Sequence, residues 1–225
     1  MIAHVQSVHV GKVKSLGSTT SAIDKYPVAT AVNVGVLGIK GDSQADLLVQ
    51  GGLDKAVHCY PWQHYKYWRQ ILPDCQLLNQ PGAFGENLSV LGVDENDVCI
   101  GDHLRIGSVL FTVSQGRQPC FKLNLRFDCN NMASQVQNTL RAGWYLRVIR
   151  EGSMQAGDAI ELVLRPHCNF TVAYMLTLIR DRVVDPETLL PVLELPLPQS
   201  WRQLFVRRMT NSRVEDWHRR LSSVV

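Results

Sequence analysis

The chain lacks a C-x-x-C pair, a long apolar run, an internal repeat and a low-complexity tract. Each absence narrows what it can be. Without thiols at the usual ligand spacing, a zinc site of the common kind is not expected. Six scattered cysteines (Cys59, Cys75, Cys99, Cys120, Cys129 and Cys168) in 225 residues do not read as a disulfide framework either. No stretch reaches the ~18 apolar residues that a membrane span requires. The opening MIAHVQSVHVGKVKSL lacks the basic-then-apolar order of a secretory signal. A cytoplasmic protein without membrane attachment is therefore expected. Charged residues make up 19% of the chain and the net charge is +3, too small an excess to imply stable nucleic-acid binding.

What is present is an ordinary apolar fraction, 45%, enough for a real core. The spacing predicts an α+β protein, mostly β, in two parts: a β-rich body over residues 1–166 and a helical appendage over 167–225. Short β-branched or aromatic segments punctuated by Gly and Asp fall at 5–13, 28–37, 103–106, 109–114, 144–150 and 159–165. Gly107-Ser108 reads as a hairpin turn, and Glu151-Gly152 as another turn. Helices are expected over 61–72, with Pro61 in the first turn and an aromatic stripe serving the core, and over 130–140. After Pro166, Val172, Met175, Leu176 and Ile179 fall on one helix face. Asp185-Pro186 is a helix start, Pro191 to Pro198 a break, and two further helices follow. The arginines of the tail (202, 207, 208, 213, 219 and 220) read first as a solvated face, with a docking surface for an acidic electron-donor protein, or a wall for an anionic substrate, as the functional options. Trp201 and Trp217 read as core anchors.

Five clusters carry candidate chemistry: Gly38-Ile39-Lys40-Gly41-Asp42; Gly51-Gly52-Leu53-Asp54-Lys55-Ala56-Val57-His58; Phe84-Gly85-Glu86-Asn87-Leu88; Gly101-Asp102; and Arg117-Gln118-Pro119-Cys120-Phe121-Lys122-Leu123. Singly, the glycine pairs are no more than turns. The last cluster is more pointed. Pro119 fixes the backbone before Cys120, and Arg117 and Lys122 bracket the thiol with cations, which favour the thiolate that attacks electrophiles or binds soft metals. A buried inert thiol is the plain alternative. A second is a metal-free thiol enzyme in which Cys120 works with His58 as base and Asp42 or Asp54 as orienter, although nothing local links those residues.

Taken in order, G-x-x-G-D, G-G-x-D-K-A-V, F-G-E-N-L, G-D and R-x-P-C-x-K-L resemble the MOSC domain family, in the YiiM-type form with a C-terminal three-helix domain. Ser21-Ala22-Ile23, Gly143-Trp144 and Gly152 through Asp158 agree, so the resemblance covers nearly the whole chain. It implies a β-barrel-like fold with inserted helices at 1–166 and the helical domain at 167–225. It also implies the molybdenum cofactor, independent of pyridoxal phosphate, with Cys120 as metal ligand. The activity implied is reduction of N-hydroxylated compounds such as 6-N-hydroxylaminopurine and related hydroxylamines, the alternative being a cofactor or sulfur carrier without turnover. Lys25, Gly41, Asp42, Gly51, Gly52, Lys55, Asn87, Arg117 and Lys122 are then candidates for holding the anionic pterin through cations and backbone N–H groups. Asp42 and Asn87 are also open to plain turn-closing roles. His58 is the candidate proton source because imidazole titrates near neutral pH, a satisfied strand histidine being the alternative. The family carries His before Gly-Gly where this chain has Gln50, which puts proton delivery in question. No flavin, haem or iron–sulfur motif occurs, so a separate electron-donor protein is expected. The sequence leaves a homodimer open.

Overall fold

The computed structural model describes residues 3–43 and 51–222; Gln50, and with it the departure noted above, lies outside the described residues. The chain begins with β1 (His4–Gly11), β2 (Lys14–Leu16), β3 (Thr19–Ser21), β4 (Lys25–Val28), β5 (Val32–Gly35) and β6 (Gly38–Ile39). A short 3₁₀ turn (Leu53–Lys55) leads into β7 (Val57–Pro61), α1 (His64–Ile71) and β8 (Leu88–Leu91). Next come β9 (His103–Ile106), β10 (Val109–Gly116), α2 (Lys122–Phe127), α3 (Met132–Thr139), β11 (Trp144–Arg150), β12 (Gly152–Met154) and β13 (Ile160–Leu164). The helices α4 (Val172–Arg180), α5 (Pro186–Leu193), α6 (Gln199–Asn211) and α7 (His218–Leu221) follow.

The principal sheet has the order β13-β9-β10-β11-β7-β8-β1-β4. All its pairings are antiparallel except β7 with β8. It curls until the start of β13 reaches the start of β1: the Val5 amide donates to the Asp158 carbonyl at 2.9 Å and the Ile160 amide to the Ala3 carbonyl at 2.9 Å, with His4 bridged to Ala159. Closure satisfies backbone groups that an open edge would expose. Its interior is filled by apolar side chains, most of them β-branched, among them Val5, Val57, Leu88, Val90, Phe111, Val113 and Leu146. Outside it, β12 pairs with β5 and β5 with β6 in a small second sheet.

The aromatic stripe of α1 is core. Tyr65 and Trp68 are fully buried beside Tyr60, Phe84 and Phe127, with Tyr60 stacked on Phe84 at 4.2 Å. Burying each ring stabilises by roughly 2–3 kcal/mol. Several sequence expectations shift. Pro61 ends β7 and α1 starts at His64, because the Pro61 carbonyl region belongs to the sheet and Trp62 donates its amide across to Val90. Glu151-Gly152 is not a hairpin turn: the chain changes sheets there and β12 pairs with β5. The segment 28–37 is two strands, not one. Pro191 lies inside α5, and the break begins after Leu193. Asp185 caps α5 as expected, accepting the Thr188 amide.

Candidate cofactor-binding site

One cavity of about 480 Å³ opens where the end of β10, the loop after it and the tail helices converge. Eight of the residues singled out from the sequence line it: Lys25, Asp42, Lys55, His58, Asn87, Arg117, Cys120 and Lys122. Gly41 does not; it lines a shallower neighbouring groove that shares Asp42. Gly51 and Gly52 are not in the wall, and Gly52 precedes the 3₁₀ turn that delivers Lys55. Asp54 is outside it too, paired with Arg147.

Asp42 organises one wall. Its carboxylate accepts from the Gly11 amide at 2.7 Å, from Lys25 Nζ at 2.5 Å and from Asn87 Nδ2 at 2.8 Å. The Lys25 and Asp42 side chains are 7% and 8% exposed, so this is a buried ion pair. Burial pulls the Lys25 ammonium below its usual pKa, with Asp42 opposing. Asn87 spends both of its N–H bonds on protein, on Asp42 and on the His9 carbonyl, and accepts the His58 amide. One lone pair of its carbonyl is left for a ligand; its main work is to tie β8 to β7 and β1.

The loop carrying Asn87 is held by Glu86, which the sequence reading passed over. This fully buried carboxylate accepts from Tyr65 Oη at 2.6 Å, the Gly82 amide at 2.8 Å, the Phe84 amide at 3.1 Å and Ser89 Oγ at 2.8 Å. Four donors repay the desolvation of one charge. Gly85, with φ +72, lets this loop press on the connection between β3 and β4: a Cβ there would sit 2.5 Å from Ile23 Cγ1.

His58 is buried against Tyr145, ring centroids 5.0 Å apart. Burial first, and then the Arg117 guanidinium, drive its pKa well below the usual value. Titration near neutral pH, the property expected of His58 as a proton source, is disfavoured at this position, where burial favours the neutral ring. Its Nε2 lies 3.4 Å from the Ala142 carbonyl. Its hydrogen-bonded neighbours are backbone groups, so the base–orienter pair of a metal-free thiol enzyme is not assembled.

Arg117, buried at the end of β10, donates to the Phe84 carbonyl at 2.7 Å. Cys120 is half-buried in the loop that opens α2, and Lys122 is buried in that helix. Three wall residues come from the tail: Ser200, Trp201 and Arg220. Sequence reading placed Trp201 in the core, where it is, and did not see that it also faces the cavity. Arg220, one of the tail arginines open to a role as a wall for an anionic group, does line the cavity. Arg208, expected to be solvated, is completely buried and donates to the Leu178, Ile179 and Val183 carbonyls and to Glu215.

The cavity thus gathers five cations, Lys25, Lys55, Arg117, Lys122 and Arg220, against Asp42, with one thiol. Two buried atoms on wall residues, Gln115 Oε1 and Trp201 Nε1, have no hydrogen-bond partner, the condition of groups that meet a ligand. An anionic, hydrogen-bonding group with a site for one soft thiolate suits this lining.

The MOSC domain family matches residues 46–161 of the chain. Protein YiiM of Escherichia coli (strain K12) is 37% identical over 216 residues, 95% of this chain and 96% of that protein. The crystal structure of YiiM from Escherichia coli superposes with a TM-score of 0.84 at 33% identity, covering 99% of this chain and 100% of that one. A protein of Gibberella moniliformis (strain M3125 / FGSC 7600) described as a reductase is 35% identical over 209 residues, which span 91% of this chain and 37% of that longer one. With a family match over more than half its length and a full-length relative above one-third identity, the chain belongs to the MOSC domain family, as a YiiM-type member.

Proposed function

We propose that this protein is a molybdenum-cofactor-dependent reductase of N-hydroxylated compounds, with Cys120 as the protein ligand to the metal. The observation that carries the reading is the convergence of Cys120 with five cations in one cavity. The reductase named among the relatives supports redox chemistry of this kind.

The residues fit a phosphate-bearing pterin dithiolene. Lys25, Lys55, Arg117 and Lys122 supply positive charge to its anionic groups, Gln115 and Trp201 supply an acceptor and a donor, and Cys120 supplies one soft thiolate. Among the described residues no three His, Cys, Asp or Glu side chains converge; Cys120 would be the residue of this chain that holds the metal, with the pterin supplying the other soft donors. When bound, the cofactor supplies the two-electron step of R–NHOH + 2e⁻ + 2H⁺ → R–NH₂ + H₂O. The electrons come from a separate donor protein. The chain's own residues bind, orient and exclude water. Asp42 fixes Lys25 by direct contact, and the Arg117 guanidinium is held by Phe84. The neutral His58 ring orients polar groups and does not serve as an imidazolium store. Gly41, Gly51 and Gly52 act on the loops around the cavity and not in its wall.

The test is metal and pterin content of protein from cofactor-producing cells, wild type beside Cys120→Ala. Near-stoichiometric molybdenum is expected in the wild type, with at least about tenfold less in the variant, as loss of one strong ligand implies. The loaded wild type, given a chemical reductant, should convert 6-N-hydroxylaminopurine to the amine. Molybdenum bound without turnover, and released to an apo-enzyme, would make the protein a carrier instead.

A further inference from the structure

The tail helices reach the cysteine loop at a defined point. α7 runs beside residues 119–124 and is joined to them from both sides of Cys120. The Phe121 amide donates to the Arg220 carbonyl at 2.7 Å. The Arg220 guanidinium donates through Nη1 to the Pro119 carbonyl at 2.7 Å and through Nη2 to Gln137 Oε1 at 2.6 Å. One turn further, Asn124 Nδ2 donates to the Leu221 carbonyl at 2.8 Å. Asn124 Oδ1 in turn accepts the Ala133 amide at 2.8 Å, tying α2 to α3. Arg220 is half-buried, lies within electrostatic range of Cys120, and lines the same cavity.

We propose that Arg220 is a positioning residue for Cys120: it clamps the loop on either side of the thiol and anchors it to α3 through Gln137. The proposal deepens the reading of Cys120 as metal ligand and rests on it for its purpose, though not for its test. A six-residue helix preceded by Pro119 has few bonds of its own to fix the thiol's direction. The fork of a guanidinium reaches two acceptors at once, which neither an ammonium nor an amide of similar length reproduces. The small helical appendage is thereby part of the site and not a separate module beside it.

The metal-free full-length protein gives the primary test. Alkylation of Cys120 by iodoacetamide, followed peptide by peptide, should speed up by about tenfold in Arg220→Lys, which keeps the charge but not the fork, as the loss of a charge-assisted bond to a buried acceptor implies. Amide exchange of residues 119–124 should rise with it. Arg220→Gln should raise the exchange in the same way, while its alkylation should rise less than in Arg220→Lys, because losing the cation also lowers the thiolate fraction. Alkylation of the exposed Cys168 should stay as in the wild type, and so should Arg219→Gln at every readout. If Arg220→Gln does not fold, Gln137→Leu removes only the far anchor and should give a smaller rise at the same two readouts. Unchanged alkylation of Cys120 and unchanged exchange over 119–124 in a folded variant would overturn the proposal. Should Cys120→Ala retain its molybdenum, the ligand reading fails, while the effect of Arg220 on the thiol remains measurable in the metal-free protein.

Discussion

Lys25 and Asp42 are buried together, and their worth depends on which one is removed. Asp42→Ala strands an ammonium in a wall already crowded with cations, and should cost about 3–5 kcal/mol. Urea denaturation should show most of that cost relieved in the Lys25→Met, Asp42→Ala double variant. Gly143 presents a different constraint. At φ +75, a Cβ would lie 2.2 Å from the Cys59 carbonyl and 2.9 Å from His58 Nε2. Gly143→Ala should therefore destabilise by at least about 1–3 kcal/mol and displace the His58 ring, which NMR of the imidazole would register. At this scale the sequence was informative where chemistry is local: Arg117, Cys120 and Lys122 stand together in the chain and in the cavity wall. It was silent where a contact is remote. Nothing near Arg220 distinguishes it from Arg219, since its acceptors lie on other elements. Glu86 was hidden for another reason: a carboxylate beside a glycine reads as a surface turn until its four donors are seen.

The helical elements show how a charge can serve as a joint. Arg208 of α6 takes carbonyls at the end of α4 and just beyond it, and holds Glu215 outside them. It does the work of a C-terminal cap from another helix, satisfying acceptors that α4 leaves open. Arg208→Met keeps much of the volume but abandons those acceptors, and should cost about 2–4 kcal/mol, read as a lower thermal midpoint. Periodicity identified α3, α4 and the hairpin of β9 and β10 because each is set by its own residues. It misjudged Pro61 and Pro191 because a proline's meaning depends on what its neighbours bond to. Pro61 can finish a strand as readily as begin a helix, and Pro191 sits in the last turns of a short helix whose packing tolerates the lost donor. The six-residue α2 is too short for any periodic pattern to mark.

Across the whole molecule, acid should weaken the fold in two stages. His9 and His58 are held neutral by burial, so their folded pKa values lie below the usual 6.5. The unfolded chain takes up those protons first, and stability present above that value is lost as pH falls below it. Glu215 adds a later stage. Burial would raise its carboxyl, but the hydrogen bonds from Arg208 and Trp217 prevail and bring it to about 2. That contribution is intact above the usual 4.5 and disappears as pH falls towards about 2. Denaturant midpoints measured from pH 8 to pH 3 should fall in both windows. Glu215→Gln should flatten the lower one and leave the upper one in place.

The seam where the sheet closes has a kinetic corollary. The strand that starts the body is joined to the strand that ends it, so the barrel cannot shut until nearly all of its chain is available. Contacts of such long sequence separation make the search slow, because the entropy of a large loop is spent before the pairing rewards it. During that interval the first part of β1, beyond its pairing with β4, waits with one side unpaired, exposed to capture by another chain. Refolding should accordingly be slow for a protein of this size, and its yield should fall with rising protein concentration.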